Sequence, residues 1–175
     1  ARGGLVLEAD GPVHITSRLV NLEESKGDGP TVLSGRGEAF EAIPVERLPG
    51  PGVHLLPAML WHRKPCGPAA FDTVIGFANP GDRPVEVVVD VPHEIGRTMR
   101  LDGRDVALPY LLTIDPGRWQ QHTLEPTTAA DAPCGNIESF LVRVELDGPL
   151  AIYGSVIDRR SGDPRTVTPV MLQEK

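Results

Sequence analysis

Apolar and polar positions alternate with a period of two in segment after segment of this chain, as half-buried β-strands require. The alternation runs through "GLVLEA" (4–9), "VHITSRLVN" (13–21), "FEAIPVERL" (40–48), "FDTVIGFA" (71–78) and "RPVEVVVDVP" (83–92). It continues in "RTMRLDGRDVAL" (97–108), "YLLTIDPGRWQQHTL" (110–124), "SFLVRVEL" (139–146), "LAIYGSVID" (150–158) and "RTVTPV" (165–170). Turn chemistry separates these runs: Asp10-Gly11, Asn79-Pro80-Gly81-Asp82, Asp102-Gly103, Asp115-Pro116-Gly117, Asp147-Gly148-Pro149 and Ser161-Gly162-Asp163-Pro164. Pro presets φ and Gly accepts positive φ, so the Asn79 and Asp102 signals read as hairpins. Ten or eleven short strands without an amphipathic helix predict an all-β, antiparallel β-sandwich. Its core is expected to include Val87, Val89, Val142, Val144, Ile152 and Val156.

Two stretches break the period. Residues 22–39 are polar, carry four glycines and read as a mobile loop or surface arm. Residues 48–70 are the least regular. "VHLLPAMLW" reads as an edge strand broken at Pro57, and Pro65 and Pro68 make the rest a loop. The expected organisation is an N-terminal half-repeat at 1–50 (hairpin, long loop, strand), an irregular connector at 51–70 and a main β-sandwich at 71–175.

The division rests on an internal repeat. "EADGPVHITSRLVN" (8–21) returns as "ELDGPLAIYGSVID" (145–158). Identities fall at Glu8/Glu145, Asp10/Asp147, Gly11/Gly148, Pro12/Pro149 and Ile15/Ile152, and most other positions keep their character. Further on, "FEAIPV" and "RTVTPV" also correspond. Copy two is preceded by several strands and copy one by none. Three readings stay open: two halves of one sandwich, part of a tandem array, or an N-terminal segment that completes a neighbouring subunit's sheet.

Composition narrows the function. The chain has 175 residues with 19 Gly, 18 Pro and 5% aromatics, which favours strands and turns over long helices. A net charge of −7 argues against nucleic acid and against anionic lipid as partners. No apolar run reaches the ~18–20 residues of a bilayer-spanning helix, so membrane insertion is not expected. The chain opens on Ala1-Arg2-Gly3-Gly4, with any targeting segment expected to be removed or outside it. Cys66 and Cys134 lie in loop-like surroundings and, as an even count, read as one disulfide of an oxidising compartment, with two cytosolic thiols as the alternative.

Site chemistry is sparse. His62 and Cys66 stand four apart in "WHRKPC", but two further ligands are missing nearby, so no metal is expected. His93 beside Glu94 after a strand could be a proton-shuttling pair, but adjacent strand residues point to opposite faces, so a loop position without pairing between the two is expected. Ser34 and Ser161 lack a G-x-S-x-G setting, so no catalytic residue is assigned. Asp102, Asp105 and Asp115 are loop acids without an EF-hand pattern, and no cofactor is expected. A saccharide would have Trp61, Trp119 and Tyr110 as its platform, Trp119 being the better fit to a core edge.

"VHITSRLVN", "FEAIPV", "FDTVIGFANPGDRPVEVVVDV", "IDPGRWQQHTL" and "IYGSVIDRRSGDPRTVTPV" together resemble immunoglobulin-like β-sandwich repeat modules of large secreted or surface-exposed bacterial proteins. The likeness touches most of residues 5–170 and departs from the pattern at 22–39, at the two cysteines and at 93–110. It implies extracellular scaffolding or adhesion and carries over no catalytic residue. The expected function is therefore a non-enzymatic extracellular structural or adhesive subunit that associates with itself through strand edges or tandem repeats. The alternative is a carbohydrate-binding module of a larger secreted protein.

Overall fold

The structure is a computed structural model and describes residues 7–8, 10, 16–24, 33–41, 43–62, 71–94, 97–127, 135, 137–159, 161–162 and 164–172. Two antiparallel sheets face each other. One has five strands in the order β13-β3-β10-β5-β8: β13 (Val170–Met171), β3 (Gly52–His62), β10 (Ile137–Leu146), β5 (Val85–Asp90) and β8 (Tyr110–Ile114). The other has six in the order β12-β11-β4-β9-β6-β7: β12 (Pro164–Val167), β11 (Ala151–Asp158), β4 (Phe71–Ala78), β9 (Trp119–Pro126), β6 (Thr98–Leu101) and β7 (Arg104–Ala107). The fold is the all-β sandwich that the alternation predicts. Phe77, Leu56, Met59 and Ile75 are fully buried between the sheets, and so are the six expected core residues, all at 3% exposure or less.

The turns are where sequence and structure part. Asn79-Pro80-Gly81 does not close a hairpin, because β4 and β5 lie in different sheets. It is an arch, and so are Asp115-Pro116-Gly117 between β8 and β9 and Asp147-Gly148-Pro149 between β10 and β11. The same turn residues serve a chain that folds back within a sheet or steps across to the opposite one. Turn chemistry therefore names a reversal without naming its plane. True hairpins join β6 to β7 and β11 to β12. In the first, Asp102 (φ 52°) and Gly103 (φ 76°) both take positive φ, as a type I′ turn demands.

Asn79 holds two arches at once. Its side chain is 2% exposed, and Nδ2 donates to the carbonyls of Arg83 and Ile114, each at 2.8 Å. Oδ1 accepts from the Gly81 N–H at 2.9 Å. Its backbone also bonds to the second arch, accepting from Gly117 N–H and donating to the Arg118 carbonyl.

The N-terminal region differs from expectation. β1 (Thr16–Glu24) pairs with β2 (Leu33–Glu41) from Thr16↔Glu41 to Glu24↔Leu33. Residues 22–39, read as a loop or arm, thus contribute to both strands. Among the described residues the ribbon has no ladder with either sheet, and its β2 lies beside β12. The strand expected at 40–48 stops at Glu41, and Val45–Arg47 form a 3-10 turn after Pro44. The hairpin expected at Asp10-Gly11 falls largely outside the described residues. Residues 52–62, read as part of a connector, form β3 and pair with β10 from Gly52↔Leu146 to His62↔Ile137.

Candidate functional site

Pro57 does not break β3; it forms a bulge. The ladder passes from Val142↔Leu56 to Phe140↔Met59, so Pro57 and Ala58 together oppose Leu141. Ala58 takes φ 55°, a left-handed angle uncommon outside glycine. On the other side of β10 its ladder with β5 runs only from Leu146↔Val87 to Arg143↔Asp90, and beyond it the chain turns through Val91–Glu94 instead of continuing the sheet. The bulge and the departing chain leave a cavity of about 340 Å³ beside β10.

Its walls come from three elements. β3 supplies Pro57, Ala58 and Trp61, β10 supplies Glu138 to Leu141, and the turn supplies Val91, His93 and Glu94. Trp61 is 3% exposed and stacks on Phe140 with centroids 3.7 Å apart and rings 16° from parallel. Its Nε1 donates to Oε2 of Glu138, its register partner, at 3.4 Å. Glu94 is buried at 4% while its neighbour His93 is exposed, so the two do not form a matched pair. The turn is pinned by Arg97, whose Nη1 donates to the Val91 carbonyl (3.2 Å) and whose Nη2 bonds Asp90 (2.7 Å). Chemically, this is a small apolar slot with an aromatic wall and two carboxylates, at the low end of the volumes that small ligands occupy.

A second polar cluster lies at the β6–β7 turn. His122 Nδ1 stands 2.8 Å from Asp102 Oδ2, and the Thr123 N–H donates to Asp102 Oδ1 at 2.8 Å. Partial burial pushes the Asp102 carboxyl up. The hydrogen bonds from His122 and Thr123 and the charges of His122 and Arg104 outweigh it and hold the group below its ordinary value. His122 Nε2 faces Gln120 Oε1 at 3.3 Å. This imidazole and carboxylate are joined to each other and to the sheet, and tie the hairpin to β9.

The sequence-derived site residues do not converge. Trp61 ends β3 at the start of β10, whereas Trp119 begins β9 opposite Ala78, at the other end of the sandwich. Tyr110 is half-buried on edge strand β8, opposite Val89 and separated from β3 by β10 and β5. The saccharide platform is therefore not gathered on one surface. Cys66 and Cys134 lie outside the described residues. Asp105 bonds Arg100, and among the described residues no group of three or more His, Cys, Asp or Glu is placed to hold a metal ion. His54 is buried and bonds the Gly50 carbonyl at 2.8 Å. Glu138 and Phe140 of the cavity carry no sequence signal of their own, whereas Pro57, which interrupts "VHLLPAMLW", is the signal for the bulge beside it.

No family model matches the chain, and no curated protein is similar to it. Among solved structures, the crystal structure of Thermotoga maritima 1070 is similar over 72% of this chain and 98% of that one, with 13% identity. The TM-score is 0.43.

Proposed function

We propose that this chain is a non-enzymatic structural or adhesive β-sandwich module of the cell exterior, joined to further sandwiches through strand edges. The observation that carries the reading is the β1–β2 ribbon, which among the described residues has no ladder with either sheet of the sandwich. A two-stranded ribbon is marginally stable alone in water, and an unpaired edge is a template for another strand. The resemblance to secreted repeat modules supports the extracellular setting, and an even cysteine count agrees with it.

The test is light scattering on the full chain and on a chain lacking residues 1–41. The full chain, 18.8 kDa as a monomer, is expected to gain mass with concentration, and the shortened chain to stay monomeric with its unfolding transition intact. A full chain that stays monomeric at every concentration, or a shortened chain that associates equally, overturns the proposal.

A further inference from the structure

The repeat and the strand pairing together identify what the ribbon is built to join. In the sequence alignment, Thr16–Asn21 correspond to Tyr153–Asp158. In the structure these residues lie in β1 and β11. Each of the two strands is followed by an antiparallel hairpin partner, β2 in one case and β12 in the other. After each hairpin comes a Pro-Val pair, Pro44-Val45 and Pro169-Val170. The two copies thus share the order strand, antiparallel partner, Pro-Val as well as sequence, with registers that differ by two residues and with Val45 opening a 3-10 turn where Val170 opens β13.

Their surroundings differ. β11–β12 closes one edge of the six-stranded sheet, with β11 paired to β4 from Ala151↔Ala78 to Asp158↔Phe71. β1 has the same kind of hairpin partner on one side and, among the described residues, no ladder on the other. We propose that β1–β2 is the closing edge hairpin of a second sandwich of the same strand plan. Its β1 pairs antiparallel with that sandwich's counterpart of β4, as β11 pairs with β4 here. This deepens the function proposed above by naming the partner surface.

Two positions say that the partner differs in sequence from this chain. The Tyr153 ring lies where a Cβ on Gly76 would stand, so tyrosine and glycine are matched across β11 and β4. The position of Tyr153 is taken by Thr16 in β1, which would leave Gly76 uncovered. Gly154 faces Met59, and a Cβ there would stand 2.8 Å from the sulfur and 2.9 Å from Cε. Ser17 occupies that position in β1. The partner sandwich therefore carries a side chain where this chain has Gly76 and a less intrusive one where it has Met59. A second copy, whose β4 edge carries its own β11, can take β1 only by releasing that hairpin, so it is a weaker partner that associates only at raised concentration.

The experiment exchanges hairpins within the full chain, His14–Val45 replacing Ala151–Val170. It is done in the native host and in a host carrying Gly76→Ala and Met59→Leu. A control insert starts one residue earlier, which turns each side chain to the wrong face of the sheet. The expected result is cooperative urea unfolding of the exchanged chain, with a midpoint at least ~1 M higher in the adapted host than in the native one, and no cooperative transition for the control. In the unexchanged chain, Gly76→Ala lowers the midpoint, and in a Tyr153→Thr background it does not. An exchanged chain that stays unfolded in both hosts, or one matched by the slipped control, overturns the inference. Because this reads folding within one chain, its failure is distinguishable from failure of the mass experiment.

Discussion

Asn79 offers the sharpest test of the arch topology. If Asn79-Pro80-Gly81 merely turned a hairpin, its side chain would sit in solvent and substitution would cost little. Instead it is 2% exposed and makes three hydrogen bonds, two as a donor. Asn79→Ala removes all three, and at ~1 kcal/mol net for each the loss is about 3 kcal/mol. With a urea m-value of ~2 kcal/mol/M, the midpoint falls by about 1.5 M at unchanged m. Asn79→Asp keeps the shape and the acceptor to Gly81 but aims an oxygen at two carbonyls, each 2.8 Å from the nitrogen it replaces. At neutral pH it is expected to cost more than alanine, because a buried carboxylate there is charged and without donors from those carbonyls. The introduced carboxyl titrates above its ordinary value of ~3.9, so the folded state takes up a proton more readily than the unfolded one. Stability of the aspartate variant relative to the alanine variant therefore rises as pH falls toward about 4. The assay is urea unfolding of the three proteins at pH 7 and pH 4. An aspartate variant with the wild-type midpoint, or one equal to alanine at both pH values, refutes the reasoning.

Two further outcomes follow from the same architecture. His62 and Ile137 are register partners, and Cys66 and Cys134 follow and precede them by a few residues. The even cysteine count reads as one disulfide, so the oxidised protein is expected to be 2 Da lighter than the reduced one. Reduction, or Cys66→Ser, is then expected to cost up to ~4 kcal/mol by the chain-entropy estimate for a long loop; two freely alkylated thiols in protein purified without reductant would contradict it. Asp102→Asn keeps a residue that tolerates positive φ while removing the charge that His122 and Thr123 stabilise. Because the folded carboxyl lies below its ordinary value, its contribution is present above about pH 4 and is lost as pH falls through the folded value. The variant should trail wild type by under ~1 kcal/mol at pH 7, an exposed-pair magnitude, and converge with it once the pH lies below the folded value. A gap that widens on acidification would contradict the assignment.

The fold was legible because period two reports burial directly. Val87 and Val89, or Val142 and Val144, had to face one core whichever strands they paired with, and they do. Connectivity was less legible, since Asp-Gly at 102–103 closes a hairpin while Asp-Gly at 147–148 bridges two sheets. Pro149 is the local difference, since it lacks the N–H that Arg104 can offer to close a two-residue hairpin; which sheet the chain then enters is set by which strands can cover each other's apolar faces. Of the ribbon, Thr16–Asn21 and Phe40–Glu41 fell in expected strands, whereas Leu22–Glu24 and Leu33–Ala39 lay in the polar, glycine-bearing stretch read as a loop. The cavity was half visible: Pro57 announced an interruption, but Phe140 and Glu138 reach it only through the register of β10 on β3. Glu94 read as a loop residue, and its burial follows from the turn that Arg97 fastens.

The central claim is that the outer edge of β1 is a joining surface, and amide hydrogen exchange on the full chain tests it most directly. In dilute protein, the β1 amides that point away from β2 are expected to exchange quickly, while those in the β1–β2 ladder and in β4, β5 and β10 are slower. Raising the concentration until the mass increases should protect the outward β1 amides and leave the sandwich strands unchanged. A rise in mass with no change at β1, the new protection falling instead on β8 or β13, would contradict the account.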